Sequence, residues 1–169
     1  MKKEFYLFGL GLMAMVMVVL AGCTVIDNPQ GADGGVKSVE LKNFSNTGCK
    51  PTTRSVYDED HLVTLELTAT EKGGLYVTHS DVVLNCGIKD YDAKIEIDGN
   101  KITVTEFGDN SRMTFCECAI DFGYEIGPLE EGKPYKLNII CAHARIFNRT
   151  VDFVYSSKLK WSEQYRRQY

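Results

Sequence analysis

What the chain lacks narrows it first. No segment sustains apolar residues at helical spacing, no repeat recurs and no low-complexity domain interrupts the 169 residues, which argues against a helix bundle, a solenoid or a disordered scaffold. No Gly-x-Ser-x-Gly, His-Glu-x-x-His or phosphate-cradling glycine loop occurs. The three histidines, His61, His79 and His143, are scattered, and each is expected as a surface or strand residue rather than a base. Asp58, Glu59 and Asp60 read as a solvated loop, and Asp121 and Glu125 as solvated strand residues. An excess of positive charge is also missing: the formal net charge is −4. A mildly acidic chain has no electrostatic hold on phosphate backbones, so nucleic acid is not an expected partner. No catalytic role, no cofactor and no metal are expected from these residues.

One hydrophobic run is present. It spans Phe5 to Leu20, follows Lys2 and Lys3, and is interrupted by Gly9 and Gly11. That suits the core of a signal peptide and is short for a membrane span, which needs about 20 apolar residues. Leu20-Ala21-Gly22-Cys23 closes it. The whole arrangement resembles the lipobox of a bacterial lipoprotein precursor. The resemblance implies cleavage before Cys23, a diacylglyceryl group on its thiol, usually a further acyl chain such as palmitate on its amino group, and folding in an oxidising space outside the cytoplasm. Several acyl chains at about 0.8 kcal/mol per buried methylene hold more firmly than one reversible chain does. Position 24 is Thr rather than Asp, so the inner-membrane retention signal of some lipoproteins is absent and the outer membrane is the expected address.

Residues 1–22 are therefore read as a signal peptide and 23–35, rich in glycine, as a flexible lipidated tether. Removing 1–22 takes away Lys2, Lys3 and Glu4, so the formal charge moves from −4 to −5 and 147 residues remain, about one domain.

Besides Cys23 the chain has Cys49, Cys86, Cys116, Cys118 and Cys141. In an oxidising compartment disulfides are the default for such a set, and an odd number leaves at least one thiol over. Cys116 and Cys118 at i and i+2 lie about 6.6 Å apart along a strand, so each pairs more naturally with another strand. Cys86 is expected to pair with Cys116 or Cys118, and Cys49 with Cys141. A metal or redox site would draw on Cys116 and Cys118, with Cys86, Cys141 and His143 as further ligands.

The remaining pattern is β. Val63, Leu65, Leu67 and Ala69 alternate with polar residues, and Gly73-Gly74 leads to a second strand from Leu75. Ile95 and Ile97, then Ile102 and Val104, flank Asp98-Gly99-Asn100, a hairpin signature. At period two, Cys116, Cys118, Ile120, Phe122, Tyr124 and Ile126 share an inward face, as do Leu137, Ile139 and Cys141, and then Val151, Phe153 and Tyr155. Leu129, Gly132 and Tyr135 form a Leu-x-x-Gly-x-x-Tyr pattern, similar to the tyrosine corner of fibronectin-type and immunoglobulin-like sandwiches. An all-β sandwich, immunoglobulin-like or fibronectin-type, of roughly seven to nine short strands over 36–155 follows, beginning with a strand at 36–44, with 156–169 as a basic, aromatic tail open to a short helix, an edge extension or disorder.

Thr47-Gly48-Cys49-Lys50, Asn85-Cys86, Cys116-Glu117-Cys118 and the run from Ile126 to Lys133 together resemble a group of small cysteine-containing lipoproteins of Bacteroidetes-type bacteria. That group often has a second cysteine where this chain has Gly87, and Tyr-Asp-Leu after the Cys-x-Cys where this chain has Ala119-Ile120-Asp121-Phe122. The resemblance supplies no catalytic residue. The expected role is a non-catalytic, lipid-anchored interaction or structural module of the cell envelope, held to the membrane by its lipid and contacting an envelope protein or glycan. The alternative is a cysteine-based metal-binding or thiol-redox lipoprotein. Tyr57, Tyr76, Tyr91, Trp161 and Tyr165 are the aromatic contact candidates.

Overall fold

The computed structural model describes residues 38–51, 61–144 and 147–166. The alternation after His61 becomes a half-buried strand: Val63, Leu65 and Leu67 are 0% exposed, while Glu66 and Thr68 face solvent. The described residues form nine strands in chain order: β1 Glu40–Asn46, β2 Leu62–Ala69, β3 Leu75–Asn85, β4 Lys89–Asp98, β5 Lys101–Asp109, β6 Glu117–Gly127, β7 Pro134–Cys141, β8 Arg149–Val154 and β9 Lys160–Arg166. Among the described residues there is no α-helix.

The strands form two sheets, β1-β6-β3-β2-β9 and β4-β5-β7-β8. The inward residues of both join one core, from Leu65, Val77 and Phe122 on the first to Ile102, Val104, Leu137 and Val151 on the second. Alternating strands can hide their apolar faces only against another such face, so an all-β sandwich is the result. Its order is particular. β5 and β7 run parallel, from Lys101 opposite Lys136 to Glu106 opposite Cys141, whereas immunoglobulin sheets are antiparallel.

The hairpin read around Gly99 joins β4 to β5, with Ile95 opposite Val104 and Ile97 opposite Ile102. Gly99 takes φ 60°, a backbone angle that costs glycine little and lets a two-residue turn match the strand twist. At the same end of the sandwich, where Asn100 bonds the Pro134 carbonyl, Gly132 has φ 76°. The Tyr135 hydroxyl accepts a hydrogen bond from the Glu130 N–H at 3.0 Å, and Leu129 is buried in the core.

Three irregularities re-aim the strands. Register shifts lie between Lys42 and Ser45 in β1, His79 and Val82 in β3, and Lys89 and Asp92 in β4. Each holds a non-glycine residue at positive φ: Asn43 at 54°, Asp81 at 62° and Asp90 at 49°. Asn and Asp tolerate that region better than other side chains, and an extra residue there swaps which face the following residues take. The first strand accordingly runs Glu40–Asn46 instead of ending at Phe44.

Of the forms open to the segment after 155, a short helix, an edge extension or disorder, residues 160–166 take the edge extension. It supplies β9, antiparallel to β2, with Val63 opposite Tyr165, so the sandwich extends to Arg166. β2 would otherwise leave a row of unpaired N–H and C=O groups, and the last segment covers them.

Candidate functional site

Four of the cysteines gather at one end of the first sheet. Cys86 follows β3 and Cys116 precedes β6. These strands are antiparallel, with Asn85 opposite Glu117, so the next residues along meet: the Cys86 N–H donates to the Cys116 carbonyl at 3.0 Å, and the two form a disulfide with Cα atoms 5.6 Å apart. Cys49 follows β1 on the other side of β6 and is bonded to Cys118, Cα atoms 5.4 Å apart. The Sγ atoms of Cys49, Cys86 and Cys118 all lie within 4.8 Å of one another.

Lys50 places Cys49 there. Its ammonium donates to Asp81 at 2.5 Å and Asp121 at 2.7 Å; its N–H donates to the Ala119 carbonyl at 2.9 Å. The positive φ at Asp81 aims its N–H at Asp121, 2.9 Å away. Burial would lower the Lys50 pKa, but its bonds to the two carboxylates outweigh it and the net shift is upward. Asp121 is therefore half of a structural ion-pair cluster rather than a solvated strand residue.

This arrangement corrects two expectations. Cys49 pairs with Cys118 rather than Cys141, because β6 lies between β1 and β3 and offers a cysteine to each side, while Cys141 ends β7 in the opposite sheet. Cys141 is free and buried. Burial, and then the Glu106 carboxylate, push its thiol up to about 12. Neither Cys141 nor His143 joins the cluster: among the described residues the metal-capable trio is Cys49, Cys86 and Cys118, and the His143 ring bonds the Gly108 carbonyl at 2.7 Å. Cys118 is buried as expected from its strand face, but Cys116, just outside β6, is exposed.

Gly87 bears on the same corner. A Cβ added there would sit on the Arg112 carbonyl. The second cysteine of the resembling lipoproteins has no room in this chain.

The loop before Cys116 is pinned to β3. The Asn85 side chain accepts from the Thr114 N–H at 2.8 Å and donates to the Thr114 carbonyl at 2.5 Å. Held between these bonds and the Cys86–Cys116 bridge, Phe115 is fully exposed and Met113 largely so. An amide ring of this kind could be guessed from Asn85, but nothing in the alternation singles out Phe115.

The second polar feature lies between the sheets. His79 is 0% exposed and Glu106 1%. His79 Nδ1 and Glu106 Oε2 are 2.8 Å apart; the Tyr124 hydroxyl donates to Glu106 Oε1 at 3.1 Å; His79 Nε2 and the Tyr165 hydroxyl are 2.6 Å apart; and Tyr165 donates to the Phe147 carbonyl at 3.0 Å. A carbonyl only accepts, so the Tyr165 hydrogen is committed to Phe147 and His79 Nε2 must donate to Tyr165. The remaining proton lies in the His79–Glu106 bond. Burial, then the adjacent Glu106 carboxylate, raises the pKa of Tyr124 and of Tyr165, so both stay protonated donors. The chain is complete and closed to solvent, which makes it a structural network.

His79 was expected at the surface or in a strand; it is in a strand, but its alternation with Leu75 and Val77 already put it on the core face, as the spacing from Ile102 and Val104 did for Glu106. Glu125 is tied to Thr70 at 2.9 Å and Asn43 at 3.1 Å. Of the aromatic contact candidates, Tyr76 is exposed, Trp161 packs partly against the core, Tyr91 has a buried hydroxyl and Tyr165 is inside. Tyr57, Asp58, Glu59 and Asp60 lie outside the described residues, as do Cys23, the signal segment and the tether. Compared with protein-family models, curated proteins and solved structures, the chain matches none of them.

Proposed function

We propose that this protein is a lipid-anchored, non-catalytic module of the cell envelope, attached through Cys23 at the outer membrane and contacting an envelope protein through the loop ahead of Cys116. The anchor is supported by the lipobox sequence and by two disulfides, which form and persist in oxidising compartments. The observation that carries the contact is Phe115, a fully exposed ring on a segment fixed by Asn85 and by the Cys86–Cys116 bridge. Aromatic side chains dominate contact energetics, and an anchor held rigid loses little freedom on binding. Among the described residues, the polar network of His79, Glu106 and the two tyrosines is sealed between the sheets, which speaks for architecture over turnover.

Two measurements test this. Mass spectrometry of the N-terminal peptide from membranes should find diacylglyceryl and acyl groups on Cys23, and Cys23→Ala should leave an uncleaved precursor; an unmodified Cys23 overturns the anchor. A photo-crosslinker at position 115 in intact cells should capture a discrete envelope protein that a crosslinker at Lys158 does not. Equal capture at both positions overturns the contact.

A further inference from the structure

We propose that Cys49, Cys86, Cys116 and Cys118 form a second, mutually exclusive state: a tetrathiolate zinc site that assembles when the two disulfides are reduced. The inference rests on the cysteines alone and is independent of the lipid anchor. Structural zinc takes four thiolates in a tetrahedron with Zn–S near 2.3 Å, which sets the sulfurs roughly 3.8 Å apart. The sulfurs of Cys49, Cys86 and Cys118 already lie within 4.8 Å of one another, and Cys116 is bonded to Cys86. The Cys116 sulfur lies outside that trio, so conversion from two S–S bonds to four S–Zn bonds needs the Cys116 side chain to turn toward Cys49 and Cys118 while the other three sulfurs spread.

That backbone is held by groups other than the disulfides. β3 and β6 are paired over most of their length, Lys50 fixes the Cys49 segment through Asp81 and Asp121, and Asn85 fixes the Cys116 segment through Thr114. The four sulfurs therefore stay together after their bonds are cut. Cys49 and Cys116 are exposed, so a reductant and a metal ion both have access, while Cys118 is buried beneath them. The Thr114 hydroxyl is 3.3 Å from the Cys116 sulfur, and its one hydrogen, given to Asn85 Oδ1 at 3.1 Å, would have to turn to donate to a thiolate there.

The chemistry balances with a dithiol donor. Two dithiols each give two electrons and two protons, becoming disulfides, and the four cysteines become thiols. Zinc then binds the four thiolates and four protons leave to water. Reoxidation by a disulfide donor reverses the first step and expels the metal, so zinc content would report the thiol state of the compartment.

The test uses the detergent-solubilised full-length protein, reduced with a phosphine that is oxidised to its oxide and then removed without air. Cobalt(II) is added first, then zinc. The proposal expects the visible bands of tetrahedral cobalt thiolate, their loss on adding about one equivalent of zinc per chain, and protection of the four cysteines from alkylation by the bound metal. Cys49→Ser should lose the bands and Cys141→Ser should keep them. Oxidised protein should show none. The proposal is overturned if reduced protein with native strand circular dichroism gives no bands, if it unfolds and zinc does not restore the strands, or if Cys141→Ser rather than Cys49→Ser abolishes binding.

Discussion

His79 and Glu106 meet at 2.8 Å across the space between the two sheets, one from β3 and one from β5, with neither side chain more than 1% exposed. The pair joins the sheets by a polar bond, extended by the Tyr124 and Tyr165 hydroxyls, inside an otherwise apolar core. Removing one partner from such a bond leaves the other buried and unpaired, which costs far more than exchanging it for a neutral group that still bonds. Glu106→Leu should therefore destabilise by about 3–5 kcal/mol. The amide introduced by Glu106→Gln can donate to His79 Nδ1 and accept from Tyr124, so it should cost about 1–2 kcal/mol. Urea unfolding of the two variants checks the order, and equal losses would show that the carboxylate's bonds do not matter.

At the opposite end, Tyr135 fastens the turn before β7 by accepting from the Glu130 N–H. Tyr135→Phe keeps the ring, which stacks on Phe153 with centroids 5.8 Å apart, and removes only that acceptor. A loss of about 1–3 kcal/mol is expected from the orphaned N–H. An unchanged melting curve would mean that water satisfies Glu130 instead.

Peptide mapping without reduction should recover Cys49–Cys118 and Cys86–Cys116, with Cys141 alkylated only after denaturation. The sequence separations are 69 and 30 residues. On the chain-entropy model, breaking the first costs about 4.4 kcal/mol and the second about 3.6 kcal/mol, so Cys49→Ser should destabilise slightly more than Cys86→Ser. Any disulfide containing Cys141 would contradict the strand order.

Cys141 also sets an alkaline limit. Its thiol stays protonated in the folded protein up to about 12, against an ordinary value of 9.0, so above pH 9 the unfolded chain holds fewer protons than the native one. Stability should fall from about pH 9 upward, the slope approaching about 1.4 kcal/mol per pH unit from this thiol alone. Below pH 9 the contribution is fully present. Comparing unfolding of wild type and Cys141→Ala between pH 8 and 10 isolates the effect, because the tyrosines are common to both, and parallel pH profiles would refute it.

What the sequence by itself determined was face and turn. Val63, Leu65 and Leu67 inward, Ile102 and Val104 inward, and the reversal at Gly99 follow from period-two alternation and from glycine's freedom at positive φ, both local properties. The proposed lipid attachment rests wholly on sequence, since Cys23 lies outside the described residues. Partnership across the chain was decided only by the tertiary structure. Alternation assigns a side chain to a face but says nothing about which strand lies beside or opposite it, so it could not choose Cys118 over Cys141 for Cys49, nor set Glu106 against His79. The shifts at Asn43, Asp81 and Asp90 break parity inside single strands, and β9 forms only because β2 presents an open edge to it. Each of these depends on a neighbour distant in sequence, because backbone hydrogen bonds and buried charges must be satisfied wherever the fold brings their partners.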